Sequence, residues 1–239
     1  TLCTDPPEAT DFPVKILFII DGSGSMQFVD QPNRRALAVE EAILRLRANP
    51  SVSFGVIRFN ESDAVLTKPG TDINAGDPFG VDLSGAFTRD FDILSQAVQG
   101  LRVADSVTDY QGALSSAFLV LSQYMLASPP AQLARTKYVV LFLSDGDPFP
   151  TCCSQESQDA GICTRDTNIF FCEDPDAIRQ NPTQLPFLEA STDYNQNYQI
   201  YNVVQDIQEL GANFGVGELR MHTAFLFDPT LVDSLDPTT

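Results

Sequence analysis

Histidine occurs once in these 239 residues, at His222, so only one imidazole is available as a general base or a metal ligand. Basic residues are scarce as well: 14 Lys and Arg face 32 Asp and Glu, a formal charge of −18. So acidic a chain lacks the cationic footprint that nucleic-acid phosphates and anionic lipid surfaces require. The charge fits either plain solubility or a protein that meets divalent cations. No stretch approaches the roughly 18–20 apolar residues that span a bilayer, so no transmembrane segment is expected. No secretory leader is expected within these residues either, because Thr1 opens directly onto polar, proline-containing sequence. The chain therefore reads as cytoplasmic or already processed.

Cysteine decides between those two readings. Four of the five cysteines, Cys152, Cys153, Cys163 and Cys172, crowd into one stretch, and Cys3 stands apart. An adjacent pair followed by two long gaps, with no histidine nearby, is not the CxxC arrangement of a zinc site. Disulfides stapling a long loop are the better reading, and they imply an exported protein in an oxidising compartment, extracellular or at the cell surface. Pairing is not deducible from spacing. Cys3 either stays free or pairs outside this chain.

Hydrophobic residues make up 43% of the chain, enough for the core of one α/β domain of about 200 residues. Val14–Ile20 is a short apolar run bounded by Pro13 and glycines, the pattern of a strand buried on both faces of a parallel sheet. Ala36, Val39, Ile43 and Leu46 mark one face of a helix that stops at Pro50. Val52–Phe59 is a second strand. Residues 68–90 read as a loop. Within it, Asp72, Asn74 and Asp77 have the look of a calcium loop, but Asp77 occupies the required glycine position. Further helices are marked by Phe91–Leu101, by Asp109–Ala127 with a stripe of Ala113, Ala117, Leu121 and Tyr124, and by Ile200–Leu210, stopped by Gly211. Tyr138–Leu143 and Leu219–Phe227 are strands. Alternation of this kind predicts a doubly wound, mostly parallel sheet with helices on both faces. Residues 1–12 read as a tail, 13–239 as the domain, and 146–198 as a cysteine-rich insertion.

Two strand ends carry the chemistry. The first strand ends in Asp21-Gly22-Ser23-Gly24-Ser25, delivering one carboxylate and two hydroxyls into a tight turn; the glycines let the backbone bend. The strand from Tyr138 ends in Ser144-Asp145-Gly146-Asp147. Between them, Thr108 and Asp109 precede a helix. The plain alternative is a set of Gly/Ser turns that happen to contain Asp. Ligands in open α/β sheets bind just beyond the carboxyl ends of strands, and hard oxygen donors of low total charge suit magnesium.

With Asp21, Ser23 and Ser25 as a DxSxS motif, Thr108 as a lone threonine and Asp145–Gly146 as a late DG, the chain resembles the von Willebrand factor A family. The resemblance implies a metal-ion-dependent adhesion site at which Asp21, Ser23, Ser25, Thr108 and Asp145 hold Mg²⁺, with Mn²⁺ or Ca²⁺ as alternatives. A partner protein would then supply an Asp or Glu carboxylate as the last ligand. Gly22, Asp109, Gly146 and Asp147 lie close to that set, and Asp109 and Asp147 read equally as solvated loop residues. DGSGSM with a cysteine-stapled insertion looks most like bacterial cell-surface A domains, among which outer-membrane gliding-motility adhesins of myxobacteria are one setting.

Two departures from the family pattern stand out. The connection after Asp145 runs about 50 residues against the usual two to six, and its Phe149, Phe170 and Phe171 form either a contact surface or buried packing. The stretch Asp228–Thr239 offers only the start of the helix, strand and helix that usually follow, so either the chain is a fragment or those elements come from elsewhere. Catalysis is not expected. Asp21 lacks the second Asp of haloacid-dehalogenase phosphatases, neither serine sits in a GxSxG elbow, and His222 reads as a core histidine in an apolar strand. The rival to adhesion is a structural or assembly domain whose ion only ties loops together.

Overall fold

The computed structural model describes residues 12–61, 63–71, 81–149, 159–161 and 195–226. In chain order these form β1 (Val14–Asp21), α1 (Met26–Val29), α2 (Arg34–Leu46), β2 (Val52–Phe59), β3 (Ala64–Val65), α3 (Phe91–Gly100), α4 (Tyr110–Ala127), α5 (Pro130–Leu133), β4 (Lys137–Ser144), α6 (Asn197–Asn213) and β5 (Glu218–Phe225). The sheet runs β3-β2-β1-β4-β5. β1 pairs in parallel with β2 and β4, and β4 with β5, while β3 lies antiparallel on β2. The sheet is therefore mixed, with one short antiparallel edge.

Alternation along β1 divides the core in two, because successive side chains of a strand point to opposite faces. Leu17 and Ile19 pack with Ile57, Phe59, Ala113 and Ala117 under α4 and α6. Ile16, Phe18 and Ile20 pack with Ala36, Val39, Ile43, Leu94 and Val98 under α2 and α3. Full burial of each such aliphatic side chain stabilises the fold by about 1.5–3 kcal/mol. Helices flank both faces.

Three expectations about elements are corrected. The stripe assigned to α4 is too narrow: Leu114, Ser115, Ser116, Leu119 and Val120 are buried as well, because α4 is covered by the sheet on one side and by α6 on the other. Gly211 does not stop α6, which runs on to Asn213; Gly215, at φ 62°, follows its end in the left-handed conformation glycine adopts freely. Gly211 serves contact instead, since a Cβ there would stand 3.2 Å from the Leu219 Cβ. Finally, His222 is exposed rather than in the core. β5 is the edge strand, and His222 lines an open apolar groove between α2 and the β4–β5 face with Leu141, Leu143 and Ala224.

The proposed calcium loop, the four clustered cysteines, Cys3, Phe170 and Phe171 lie outside the described residues. Both ends of the long connection are in view. Phe149 pairs with Thr108 through two backbone hydrogen bonds of 2.8 and 3.0 Å. The chain returns at Asn195, which is fully buried and clamped to the first turn of α4. Its side-chain oxygen accepts from the Gln111 amide at 2.8 Å, and its own amide donates to Gln111 Oε1 at 2.9 Å.

Candidate metal centre

β1 carries Asp21 to the end of the sheet and buries it completely. Its Oδ1 accepts from the Ser23 amide at 2.7 Å, and its Oδ2 accepts from the Ser144 hydroxyl at the end of β4. Ser23 is buried beside it, and its hydroxyl lies 3.0 Å from the Ser25 hydroxyl. Ser25 is exposed and donates to Asp145 Oδ1 at 2.8 Å. Asp21, Ser23, Ser25 and Asp145 thus form one hydrogen-bonded chain that climbs from a buried floor to a solvent-facing mouth.

Thr108 makes no hydrogen bond to this cluster among the described residues; its own backbone pairs with Phe149, and only the loop before it meets the first loop. The Asp105 amide donates to the Gly22 carbonyl at 2.7 Å, and the Gly24 amide to the Ser106 carbonyl at 3.0 Å. These bonds dock the loop that leads into Thr108 against the first loop. The glycines are explained by space rather than by bending, since neither has a positive φ. A Cβ on Gly22 would meet Arg58 Cγ at 2.8 Å, and one on Gly24 would meet the Ser106 carbonyl at 3.3 Å. Beneath the loops, buried Arg35 binds Asp30 at 2.6 Å and the Leu101 and Val103 carbonyls at 3.0 and 3.1 Å. Asp30 also accepts from the Arg34 amide at 2.6 Å, so one ion pair ties the start of α2 to the segment entering the Thr108 loop.

Asp109 is buried, not solvated. It caps α4, accepting from the Gly112 amide at 2.8 Å. Asp147 is exposed, and the Gly146 carbonyl accepts from the Tyr110 hydroxyl at 2.5 Å. Tyr110 and Ser144 are the positioning groups that sequence reasoning missed. Ser144 continues the register that sets Leu143 opposite Ile20, a signal available only once the strands are paired. Tyr110 packs edge-on against Phe59 and Phe142 at 5.9 and 5.0 Å between ring centres. Burial, reinforced by the acidic groups around it, pushes its hydroxyl up to about 12, so it stays protonated as a donor.

The donor set fits a hard divalent cation. Two carboxylates, Asp21 and Asp145, are linked through Ser23 and Ser25, and carboxylate and hydroxyl oxygens are the donors such an ion takes. The decisive atom is Asp145 Oδ2, which is buried and has no hydrogen-bond partner among the described residues. An unpartnered carboxylate oxygen is costly unless a cation or proton meets it. Accordingly, burial raises the Asp145 carboxyl above its ordinary value; the Ser25 hydrogen bond opposes this, and the Asp21 carboxylate adds to it.

The family model described as von Willebrand factor type A domain matches residues 16–147, more than half of the chain. No curated protein matches the sequence at a significant level. Among solved structures, the chain is similar to the vWF domain of the type V pili tip protein Mfa5 from Porphyromonas gingivalis. The identity is 22% and the TM-score 0.40, over 60% of this chain and 40% of that one. It is also similar to the PilB minor pilin from Streptococcus sanguinis, at 15% identity and TM-score 0.48, over 97% of this chain and 55% of that one. A von Willebrand factor type A protein from Catenulispora acidiphila follows at 13% identity and TM-score 0.44, covering 93% of this chain and 36% of that one. The chain therefore spans about two fifths to just over half of the Mfa5 and PilB chains it matches.

Proposed function

The chain belongs to the von Willebrand factor type A domain family, and from that premise we propose that it is an exported protein-binding module that uses one divalent ion to capture a partner's carboxylate. Asp21, Ser23, Ser25, Thr108 and Asp145 would hold the ion. When bound, Mg²⁺ supplies an electrophilic position open to one more oxygen ligand. The observation that carries the reading is Asp145 Oδ2, buried and unpartnered among the described residues at the mouth of the cluster. The residues divide the work. Asp21 and Ser23, locked by Ser144 and the turn amide, form a rigid floor, whereas Ser25 is exposed and half-buried Asp145 is joined to it, on the side from which a partner would arrive. Tyr110 holds the turn after Asp145 in place. An exported setting is supported by the four clustered cysteines of the sequence.

The test is Mn²⁺ titration of wild type and of Asp21→Asn, which keeps the side-chain volume and an oxygen for the Ser23 amide. Wild type should bind one ion. The variant should keep its far-ultraviolet circular dichroism and lose that binding, and with it metal-dependent capture of partners from a surface extract. A wild-type protein that binds no ion would overturn the proposal.

A further inference from the structure

Two large apolar side chains stand exposed beside the candidate centre. Phe28 on α1 is 79% exposed, and Phe149 is 40% exposed. Both are fixed to candidate ligand residues through the main chain. The Phe28 amide donates to the Ser25 carbonyl at 2.9 Å, and Phe149 exchanges two backbone hydrogen bonds with Thr108. One exposed phenylalanine is therefore tied to the first loop, and a second to the threonine loop. Exposed aromatics held by rigid backbone are the usual anchors of protein interfaces.

Charge narrows the partner. Residues 21–31, 60–63, 104–109 and 144–149 make up the loops around the centre; each stretch carries two acidic residues, and none carries Lys or Arg. Glu61, Asp105 and Asp147 are exposed. Asp21 and Asp145 already match the two charges of a divalent ion, so the rest of the rim keeps its negative potential. A carboxylate-bearing partner has to approach that potential, and further acids beside the carboxylate would be repelled.

We propose that Phe28 and Phe149 form the apolar walls of a docking face around the centre. Its occupant is a polypeptide segment in which a single Asp or Glu lies next to an apolar side chain and between basic residues. The carboxylate enters the centre, the apolar side chain packs on the phenylalanines, and the basic residues meet the acidic rim. This inference rests on the metal-dependent reading above.

The probes are immobilised synthetic hexapeptides with one central Glu, bearing Leu or Ser beside it and either Lys or further Glu at the flanks. They are presented to the whole chain in Mn²⁺ and in EDTA. Wild type should prefer Leu over Ser by about tenfold, the order expected for one buried aliphatic side chain, and should prefer Lys over Glu at the flanks, with that second preference shrinking as salt is raised. Phe28→Ser combined with Phe149→Ser should abolish the Leu preference and leave Mn²⁺ affinity and the Lys preference intact. Metal-dependent Glu binding with no Leu preference, or a preference that survives both substitutions, would overturn the inference and leave the metal reading standing. So would self-association of the chain that disappears on Phe28→Ser, since the face would then belong to a second copy. Binding indifferent to EDTA would overturn the metal reading, and this inference with it.

Discussion

Asp63, which is not among the candidate ligands, sits buried between the Ser116 hydroxyl, 2.7 Å away, and the capping carboxylate of Asp109. Burial raises its carboxyl well above the ordinary value, the Asp109 charge raises it further, and the Ser116 hydrogen bond opposes both. The folded chain thus holds this proton more tightly than the unfolded chain. That linkage stabilises the fold most fully below the unfolded value of about 3.9, and the contribution is lost as pH rises through the raised folded value. Asp63→Asn keeps an acceptor for Ser116 and carries no charge. In EDTA it should melt above wild type at pH 8, and this advantage should vanish near pH 4. Each pK unit of displacement corresponds to about 1.4 kcal/mol, and each kcal/mol to about 2–4 °C in a domain of this size. An equal difference at both pH values would show that Asp63 stays out of the linkage.

Elements position the centre, and the start of α4 carries most of that work. Asp109 caps the helix through the Gly112 amide, and a Cβ at 112 would run into that carboxylate and stand 3.1 Å from Asp63 Oδ2. Propensity alone predicts that Gly112→Ala stabilises the helix by about 1 kcal/mol. The geometry predicts the reverse. Loss of the cap should destabilise by about 1–2 kcal/mol, and Mn²⁺ affinity should fall as neighbouring Thr108 shifts. A raised melting temperature would reject this account. The same helix marks how far the fold was legible in sequence. Central strands announce themselves through unbroken apolar runs such as Ile16–Ile20, and the helices follow from period and breakers, whereas the edge strand β3, 2 residues long, carries no periodic signal of its own. Burial all round α4 depends on α6 packing over it, and the exposure of His222 depends on β5 lying at the edge; neither is a property of a local window. Within the centre, Asp21, Ser23, Ser25 and Asp145 could be read as a motif because each follows a strand. Ser144 and Tyr110 could not, because their roles arise from strand register and from a hydroxyl reaching across to a neighbouring turn.

For the whole molecule, a charge of −18 means self-repulsion that the fold has to overcome. In EDTA, raising sodium chloride from low to physiological strength should increase the melting temperature of wild type and Asp21→Asn alike, because screening shortens the reach of repulsion to about 8 Å. Magnesium should then separate the two proteins. At one hundred times its dissociation constant, an ion bound only by the folded chain adds about 2.7 kcal/mol, and Asp21→Asn should gain none of it. Identical gains for both proteins would mark magnesium as another screening salt. A large wild-type gain at ion levels that support no partner capture would favour the assembly role, with the ion as a tie between loops.

The paired fastenings of the long connection have a consequence for how this protein changes over evolutionary time. The chain leaves the sheet at Phe149, tied to Thr108, and re-enters at Asn195, clamped to Gln111. Exit and return are therefore fixed at the same helix start, next to the centre. Such an arrangement is a socket. Doubling the length of a connection between two such fixed points adds only about 0.6 kcal/mol of closure entropy, so the cost of closing the chain there sets little limit on how many residues lie between them.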